Sequence, residues 1–304
     1  MVIIKELVNN VMWISFNRPQ VFNSFNQEMA FAVQNALDDA DLNKDVRAIV
    51  LTGEGKAFCA GQDLAEATDP NGPELQSIVS NHYNPIITKI RTIEKPVIAA
   101  VNGVAAGAGA NIALACDIVF AGNSASFIQA FSKIGLIPDS GGTFFLPRLI
   151  GFQKAMALMM TADKVGAEEA ERMGMIYKVV GDEILMDTVA SFAEQLAQMP
   201  TRGLGLTKKA MNASMTNDLN QQLKLEEELQ LHLPDARVAR MDLDTTRSKT
   251  AFTSLITEIQ KGQVDVLVGT QMVAKGLDFD GLSLVAIFDA DKIINFPDFR
   301  AHER

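Results

Sequence analysis

Two short segments rich in small residues each follow a strand pattern, at a point where the chain turns and its backbone could bind a ligand. Residues 55–64 read GKAFCAGQDL, and residues 101–117 read VNGVAAGAGANIALACD. Alanine and glycine let backbone N–H groups approach a ligand closely, and two converging loops could together polarise a carbonyl oxygen. Taken singly, each loop is explained as well by tight packing between a helix and a sheet.

A third segment, FSKIGLIPDSGGTFFLPRLIG over residues 131–151, carries one carboxyl group in a turn. This group, Asp139, could move a proton beside a polarised carbonyl. We expect Phe131, Phe144 and Phe145 to line an apolar pocket that raises the pKa of Asp139. The alternative is that Asp139 caps the N-terminus of the following helix. The two roles are compatible.

Other candidate residues have ordinary explanations. Cys59 lies beside the first loop, where a small buried residue is expected. His82 lies on the helical stretch predicted over 75–93, as one or two helices broken around Pro85. It has no Ser or Asp partner at a spacing that would indicate a catalytic group, and it is interpreted as a surface or hydrogen-bonded histidine. Asp63 is assigned no chemistry. No cluster has the spacing of metal ligands, so the sequence predicts no metal site.

Composition narrows the class of protein. The 304 residues are 48% hydrophobic and 21% charged, as in an ordinary globular protein, and the net charge of −10 disfavours nucleic acid and anionic membranes as partners. Two cysteines, Cys59 and Cys116, cannot form a disulfide framework, and nothing resembles a signal peptide, so a reducing, cytoplasmic setting is expected. No apolar run reaches the roughly 18 residues that span a bilayer.

Apolar strand patterns alternate with helix patterns in the first part of the chain, which predicts an α/β fold with a covered sheet. The predicted strands are 11–16, 47–52, 96–101 and 117–121. From about 150 to 230 the pattern is helical, including a long stretch over 203–230, with a short strand over 176–180. A strand, a helix over 247–261 and strands over 264–268 and 282–288 follow.

The three segments together resemble the crotonase, or enoyl-CoA hydratase/isomerase, superfamily over residues 1 to about 230. The resemblance implies a spiral of ββα turns with C-terminal helices, an acyl-CoA substrate, and a homotrimer or dimer of trimers. Coenzyme A would be part of the substrate, so no separate cofactor is expected. In such enzymes two N–H groups form an oxyanion hole, here those of Gln62 and Ala108, and Asp139 would be catalytic. The expected substrate-binding residues are Ala57, Ala60, Gly61, Gly107, Gly109, Asn111, Phe131 and Gly142.

Two departures from the hydratase pattern are informative. Hydratases of the superfamily carry two glutamates that activate water, and the matching positions here are Asn111 and Phe131, neither of which can act as a base. The isomerase branch instead resembles this chain in placing an aspartate after Ile-Pro. The resemblance implies an isomerase of ring-1,2-epoxyphenylacetyl-CoA, which forms an oxepin, or one that shifts a double bond in an unsaturated acyl-CoA. The alternative is an enoyl-CoA hydratase-like protein with weak or no activity because its C-terminus is replaced.

The remainder of the chain follows a different pattern. Residues 226–304 resemble the C-terminal lobe of the primosomal replication-restart helicases, which implies a partial βαβ fragment. Nine basic and eleven acidic residues over 231–304 make a poor DNA-binding surface. The expected domains are a spiral core over 1–200, a truncated helical region over 201–230 and a helicase-lobe fragment over 231–304. We interpret the junction as a fusion or chimera, with a DNA helicase fragment as an alternative function.

Overall fold

Two strands that are buried at every position, Ala48–Gly53 and Val97–Val101, form the centre of the fold. Residues with no exposed face are expected where helices or strands cover a sheet on both sides. The computed structural model describes residues 1–231, 238–241, 257 and 266–269. The chain divides into two compact units, Met1–Glu226 and Glu227–Arg304.

The strands of the first unit lie in two sheets. They are β1 (Ile3–Val8), β2 (Val11–Phe16), β3 (Ala48–Gly53), β4 (Ala57–Cys59), β5 (Val97–Val101), β6 (Val104–Ala106), β7 (Ile118–Gly122), β8 (Ser126–Ile128), β9 (Lys164–Gly166) and β10 (Lys178–Val180). The larger sheet has the order β1-β2-β3-β5-β7-β10, and the smaller has the order β4-β6-β8-β9. Both sheets are mixed, because β1 and β9 pair antiparallel with β2 and β8 while the other pairs are parallel.

Eleven α-helices accompany these strands in the described part of the chain. They are α1 (Gln27–Leu42), α2 (Leu64–Ala67), α3 (Leu75–Ser77), α4 (Asn84–Thr92), α5 (Ala108–Ala115), α6 (Gly142–Ile150), α7 (Phe152–Thr161), α8 (Ala167–Arg172), α9 (Leu185–Gln198), α10 (Thr201–Ser214) and α11 (Leu219–Gln230). No helix among the described residues is both long enough and apolar enough to cross a bilayer.

The order of the strands builds a spiral. Three successive strand pairs, β3 with β4, β5 with β6 and β7 with β8, each give one strand to the larger sheet and the next to the smaller. Helical segments return the chain to the larger sheet after the first two pairs, and after the third pair the chain adds β9 to the smaller sheet before it returns in β10. The predicted crotonase-like ββα spiral is therefore confirmed. Its consequence for function is that the β4 and β6 ends, which carry the two small-residue loops, lie side by side in one sheet.

Both faces of the larger sheet are covered. One face packs in the main core with α1, α4 and α5. The other face contacts α9, whose buried residues Leu185, Val189, Ala193 and Ala197 recur every four positions and so share one face of the helix. This helix covers β2, β3, β5 and β7 of the larger sheet.

Three expectations about local structure are corrected. The one or two helices predicted over 75–93, with a break around Pro85, are three segments, because a π-helical turn over Ile78–Tyr83 separates α3 from α4. The stretch 203–230 is two helices, since residues 215–218 between α10 and α11 are turn and extended chain. The strand predicted over 176–180 is confined to β10, the part that pairs with β7.

The second unit is described over two strands. The strand β11 (Val238–Met241) pairs parallel with β12 (Val266–Gly269). The strand predicted over 282–288 lies outside the described residues. One pair of strands does not show the helicase-lobe fragment that the sequence led us to expect.

Candidate active site

Backbone hydrogen bonds hold the loop after β4 so that the N–H group of Gln62 is left without a partner. Phe25 N–H donates to Gly61 O at 2.7 Å, and Asp63 N–H donates to Phe25 O at 2.8 Å. Both bonds flank Gln62, which forms a parallel bridge with Phe25. In this pattern the N–H of Gln62 itself points away from Phe25. It has no hydrogen-bond acceptor within the described part of the chain.

The second loop leads into the N-terminus of α5. Gly107 takes the left-handed φ of +53° that side chains rarely adopt, and the helix begins at Ala108. The first N–H groups of a helix have no partner inside it and lie at the positive end of its dipole. The N–H of Ala108 is one of these, and among the described residues nothing accepts a hydrogen bond from it.

The two loops touch at Gly61. Its φ is +94°, and a Cβ atom there would lie 2.9 Å from Ala106 O and 3.5 Å from Ala108 N. Only glycine permits both this backbone conformation and this approach. Gly61, which precedes Gln62, therefore lies against Ala108, so the structure puts in contact the two loops whose N–H groups the family resemblance implied as partners.

Asp139 is fixed through its main chain. Its carbonyl oxygen accepts from Asn111 Nδ2 at 2.8 Å and from Gly142 N at 2.9 Å. Gln129 Nε2 in turn donates to Asn111 Oδ1 at 2.8 Å. Because Asn111 lies on α5, this network ties Asp139 to the helix whose N-terminus carries Ala108. Neither bond to the main chain of Asp139 involves its carboxyl group.

The electrostatics of Asp139 suit proton transfer. Burial raises the pKa of this carboxyl, and the opposing effect of the hydrogen bond from Ser140 Oγ to Oδ1, 2.8 Å, is smaller. No ion pair holds Asp139 in the described part of the chain, in contrast to Asp63, which pairs with Arg18 at 2.8 Å. A half-buried acid of raised pKa can exist in both protonation states during a reaction.

Several predicted substrate-binding residues have packing roles in this structure. Asn111 uses both ends of its amide internally. A Cβ on Gly109 would lie 2.7 Å from Cys59 Sγ, so this glycine allows α5 to pack on β4. A Cβ on Gly142 would lie 2.8 Å from Asn111 Oδ1, which makes Gly142 part of the same packing.

The other predicted residues surround the same loops. Phe131 is buried, and its Cζ is 3.8 Å from where a Cβ of Gly107 would lie. Ala57 is buried at the start of β4, and its carbonyl oxygen accepts from Asn23 Nδ2 at 2.7 Å. Ala60 is exposed at the end of β4. Phe144 is partly exposed and stacks edge to face on buried Phe145.

Two alternatives from the sequence are wrong. Asp139 does not cap α6 with its side chain, because the helix begins at Gly142 and the residue at its cap is Gly141 in the left-handed conformation. His82 is neither on the surface nor fully hydrogen-bonded, since it is 2% exposed and its Nδ1 has no partner among the described residues. Burial lowers the pKa of His82, and its ring packs against Phe31.

Cys59 fits its structural interpretation. The thiol is buried, and burial raises its pKa to about 12, well above the range of a reactive cysteine. The described residues contain no group of three potential metal-ligating side chains.

Three residues that support the site were not predicted. Gln129 holds Asn111, Ser140 donates to Asp139 from a backbone with φ of +51°, and Tyr83 contacts the side chain of Gln62. Of the three, only Ser140 lies in one of the quoted segments, directly after Asp139. The other two reach the site through contacts between distant segments.

Comparison with known proteins identifies the family to which this chain belongs. The model of the enoyl-CoA hydratase/isomerase family matches residues 6–254. The chain belongs to this family. The match continues beyond residue 230, where the sequence led us to expect the crotonase pattern to end.

Named relatives within the enoyl-CoA hydratase/isomerase family differ in activity. The 1,2-epoxyphenylacetyl-CoA isomerase of Escherichia coli is 46% identical over 253 residues, which is 82% of this chain and 94% of that protein. A protein of Rhodobacter capsulatus named "Probable enoyl-CoA hydratase" is 44% identical, over 74% of this chain and 86% of its own length. The crystal structure of an enoyl-CoA hydratase from Bacillus anthracis superposes with a TM-score of 0.72 at 29% identity, over 88% of this chain and 99% of the other.

Proposed function

We propose that this protein is an acyl-CoA isomerase that uses one carboxyl group, Asp139, as its acid and base. The observation that carries the proposal is the pairing of two unoccupied N–H groups, of Gln62 and Ala108, with a half-buried acid tied to the same helix. The family membership supplies the expectation of an acyl-CoA thioester substrate.

The chemistry follows from these groups. The two N–H groups would donate to the thioester oxygen, and they would bind it more tightly as it gains negative charge. The protons on the carbon beside the carbonyl then become more acidic. In a 3-enoyl-CoA, the Asp139 carboxylate removes one of these protons to give a dienolate. The same carboxyl group returns the proton to the fourth carbon, which yields the conjugated 2-enoyl-CoA.

The nature of the residues around Asp139 disfavours hydration. Addition of water to a double bond by hydratases of the superfamily relies on two glutamates, and the matching positions are Asn111 and Phe131. The amide of Asn111 is fully engaged, and Phe131 is buried against Gly107. Neither residue can deprotonate water. A proton shift needs only one base, and one is present.

The substrate class is the finer part of the proposal. The similarity to the Escherichia coli 1,2-epoxyphenylacetyl-CoA isomerase supports ring-1,2-epoxyphenylacetyl-CoA as substrate, with conversion to the oxepin. That reaction is also an isomerisation, so substrate and product contain the same atoms. We further propose a homotrimer or dimer of trimers as the assembly.

The test compares three substrates with the purified full chain. We expect conversion of ring-1,2-epoxyphenylacetyl-CoA and of a 3-enoyl-CoA, followed by absorbance and by chromatography of the thioesters. We expect no hydration of a 2-enoyl-CoA above the rate without enzyme. Rapid hydration together with no isomerisation would overturn the proposal in favour of a hydratase.

A further inference from the structure

The π-helical turn over Ile78–Tyr83 places two consecutive aromatic residues in the interior. His82 is 2% exposed and Tyr83 is 1% exposed. In a regular helix, neighbouring residues are turned about 100° apart, and a surface helix rarely buries both completely. A π turn carries an extra residue per turn, and such turns occur often at functional sites. Here the turn directs the Tyr83 side chain inward.

The hydroxyl group of Tyr83 ends at the loop that carries Gln62. Tyr83 Oη donates to Gln62 Oε1 at 2.8 Å, and Gln62 Nε2 donates to Glu66 Oε2 at 2.9 Å. An ionised carboxylate only accepts hydrogen bonds, so Glu66 fixes which end of the amide faces it. The amide oxygen must then face Tyr83, and the phenol must be the donor.

The other end of this network is anchored on α1. Glu66 Oε1 accepts from the N–H of Gln27 at 2.8 Å, at the first residue of that helix. A carboxylate near a helix N-terminus is stabilised by the helix dipole. Tyr83, Gln62 and Glu66 therefore form one continuous chain of hydrogen bonds between the π turn and α1.

The charge environment keeps the phenol protonated. Burial raises the pKa of Tyr83 well above its ordinary value, and the negative charges of Asp139, Glu66 and Asp63 raise it further. At neutral pH the hydroxyl is a hydrogen-bond donor and not a base. Its hydrogen goes to Gln62, so Tyr83 itself moves no proton in the reaction.

We propose that Tyr83 is a positioning residue, which holds the Gln62 side chain so that the Gln62 peptide N–H keeps one orientation toward the thioester oxygen. The main chain on either side of Gln62 is bonded to Phe25, but the peptide between these bonds has no partner of its own. The side-chain amide supplies a third point of attachment. A donor that is already oriented costs no reorganisation as charge develops. This inference rests on the oxyanion hole of the proposed function.

The test measures polarisation of the thioester carbonyl without turnover. The probe is phenylacetyl-CoA labelled with carbon-13 at the thioester carbonyl, observed by difference infrared spectroscopy when bound to the full chain. In the wild type we expect the carbonyl stretch to move to lower frequency than in free probe. In Tyr83→Phe, which lacks only the hydroxyl, we expect a smaller shift. The matched control is Tyr177→Phe, which alters an exposed tyrosine that packs on Phe120.

Turnover provides the second measurement. With a 3-enoyl-CoA we expect kcat of Tyr83→Phe to fall about tenfold with KM nearly unchanged, less than the ~10²–10³ lost when an oxyanion donor is removed. Gln62→Ala keeps the N–H but removes the amide side chain, and we expect a similar loss. Because both changes break one network, the double variant should lose no more than either single one. Additive losses would overturn the positioning role.

The outcomes separate this inference from the proposed function. An unchanged carbonyl frequency in the wild type would overturn the oxyanion hole itself. A shifted frequency in the wild type that is equally large in Tyr83→Phe would leave the oxyanion hole intact and overturn the role of Tyr83. If Tyr83→Phe fails to fold, as judged by circular dichroism, the spectrum of Gln62→Ala decides the same question.

Discussion

Replacement of Asp139 by Asn should abolish isomerisation while substrate binding remains. Asn has nearly the same shape, and its oxygen can still accept the hydrogen bond from Ser140. The two bonds that fix this residue, from Asn111 Nδ2 and Gly142 N, go to its main-chain carbonyl and do not depend on the carboxyl group. The variant therefore loses the acid and base but keeps the geometry.

The size of the loss follows from the role of Asp139. General acid–base catalysis contributes ~10²–10⁴ to a rate, and one group here both removes and returns the proton, so we expect kcat to fall by about 10³ or more. The assay is the absorbance of conjugated 2-enoyl-CoA formed from a 3-enoyl-CoA, with calorimetric binding of phenylacetyl-CoA alongside. Exposed Asp163→Asn is the control. A kcat for Asp139→Asn within about tenfold of the wild type would refute the assignment of Asp139.

The thermal stability of the Asp139→Asn variant also tests whether the folded protein raises the pKa of Asp139. Burial raises the pKa of Asp139 in the folded protein above its unfolded value, so the folded state disfavours the carboxylate. This cost is absent at low pH, where both states are protonated, and appears as pH rises through the unfolded and then the folded pKa. We expect Asp139→Asn to have the higher Tm at neutral pH, with the difference closing in acid. A lower Tm at neutral pH would contradict this account.

Three further predictions follow from the site and its surroundings. Ser140→Ala removes the hydrogen bond that lowers the pKa of Asp139, so the acid limb of the kcat/KM–pH profile should move to higher pH; no movement would show that this limb reports another group. Gly61→Ala puts a Cβ 2.9 Å from a carbonyl oxygen at a φ of +94° and should lower kcat by ~10²–10³, whereas Gly166→Ala, with no atom within 4 Å of the new Cβ, should not. In the native protein neither Cys59 nor the other buried thiol should react quickly with a thiol reagent, and both should react after unfolding; one rapid native reaction would contradict their burial.

Local pattern was enough to predict the elements that carry the site. The buried strands β3 and β5 are runs of apolar residues that lead into the two small-residue segments, so both could be located from the sequence, although the short strands β4 and β6 inside those segments were not predicted. The spiral itself came from the resemblance of three motifs. Asp139 was identifiable because it is the one acid in its segment.

What the sequence missed depends on contacts between distant segments. The bond from Tyr83 to Gln62 joins residues 21 positions apart, and its donor lies on a π turn that helical periodicity does not indicate. The helix after Asp139 begins later than a capping aspartate would require, because Ser140 and Gly141 both take left-handed backbone conformations. Such conformations follow from packing, and composition alone does not specify them.

The central claim is that this protein isomerises its substrate with a single acid. The most direct test measures whether the product contains oxygen from water. The full chain is incubated with a 3-enoyl-CoA in water enriched in oxygen-18, and the thioester products are analysed by mass spectrometry. The account predicts that the 3-enoyl-CoA becomes 2-enoyl-CoA, separated from the substrate by chromatography, with no oxygen-18 in its acyl group. Recovery of unchanged 3-enoyl-CoA, together with addition of one labelled water to a 2-enoyl-CoA incubated in parallel, would contradict it and would identify the protein as a hydratase.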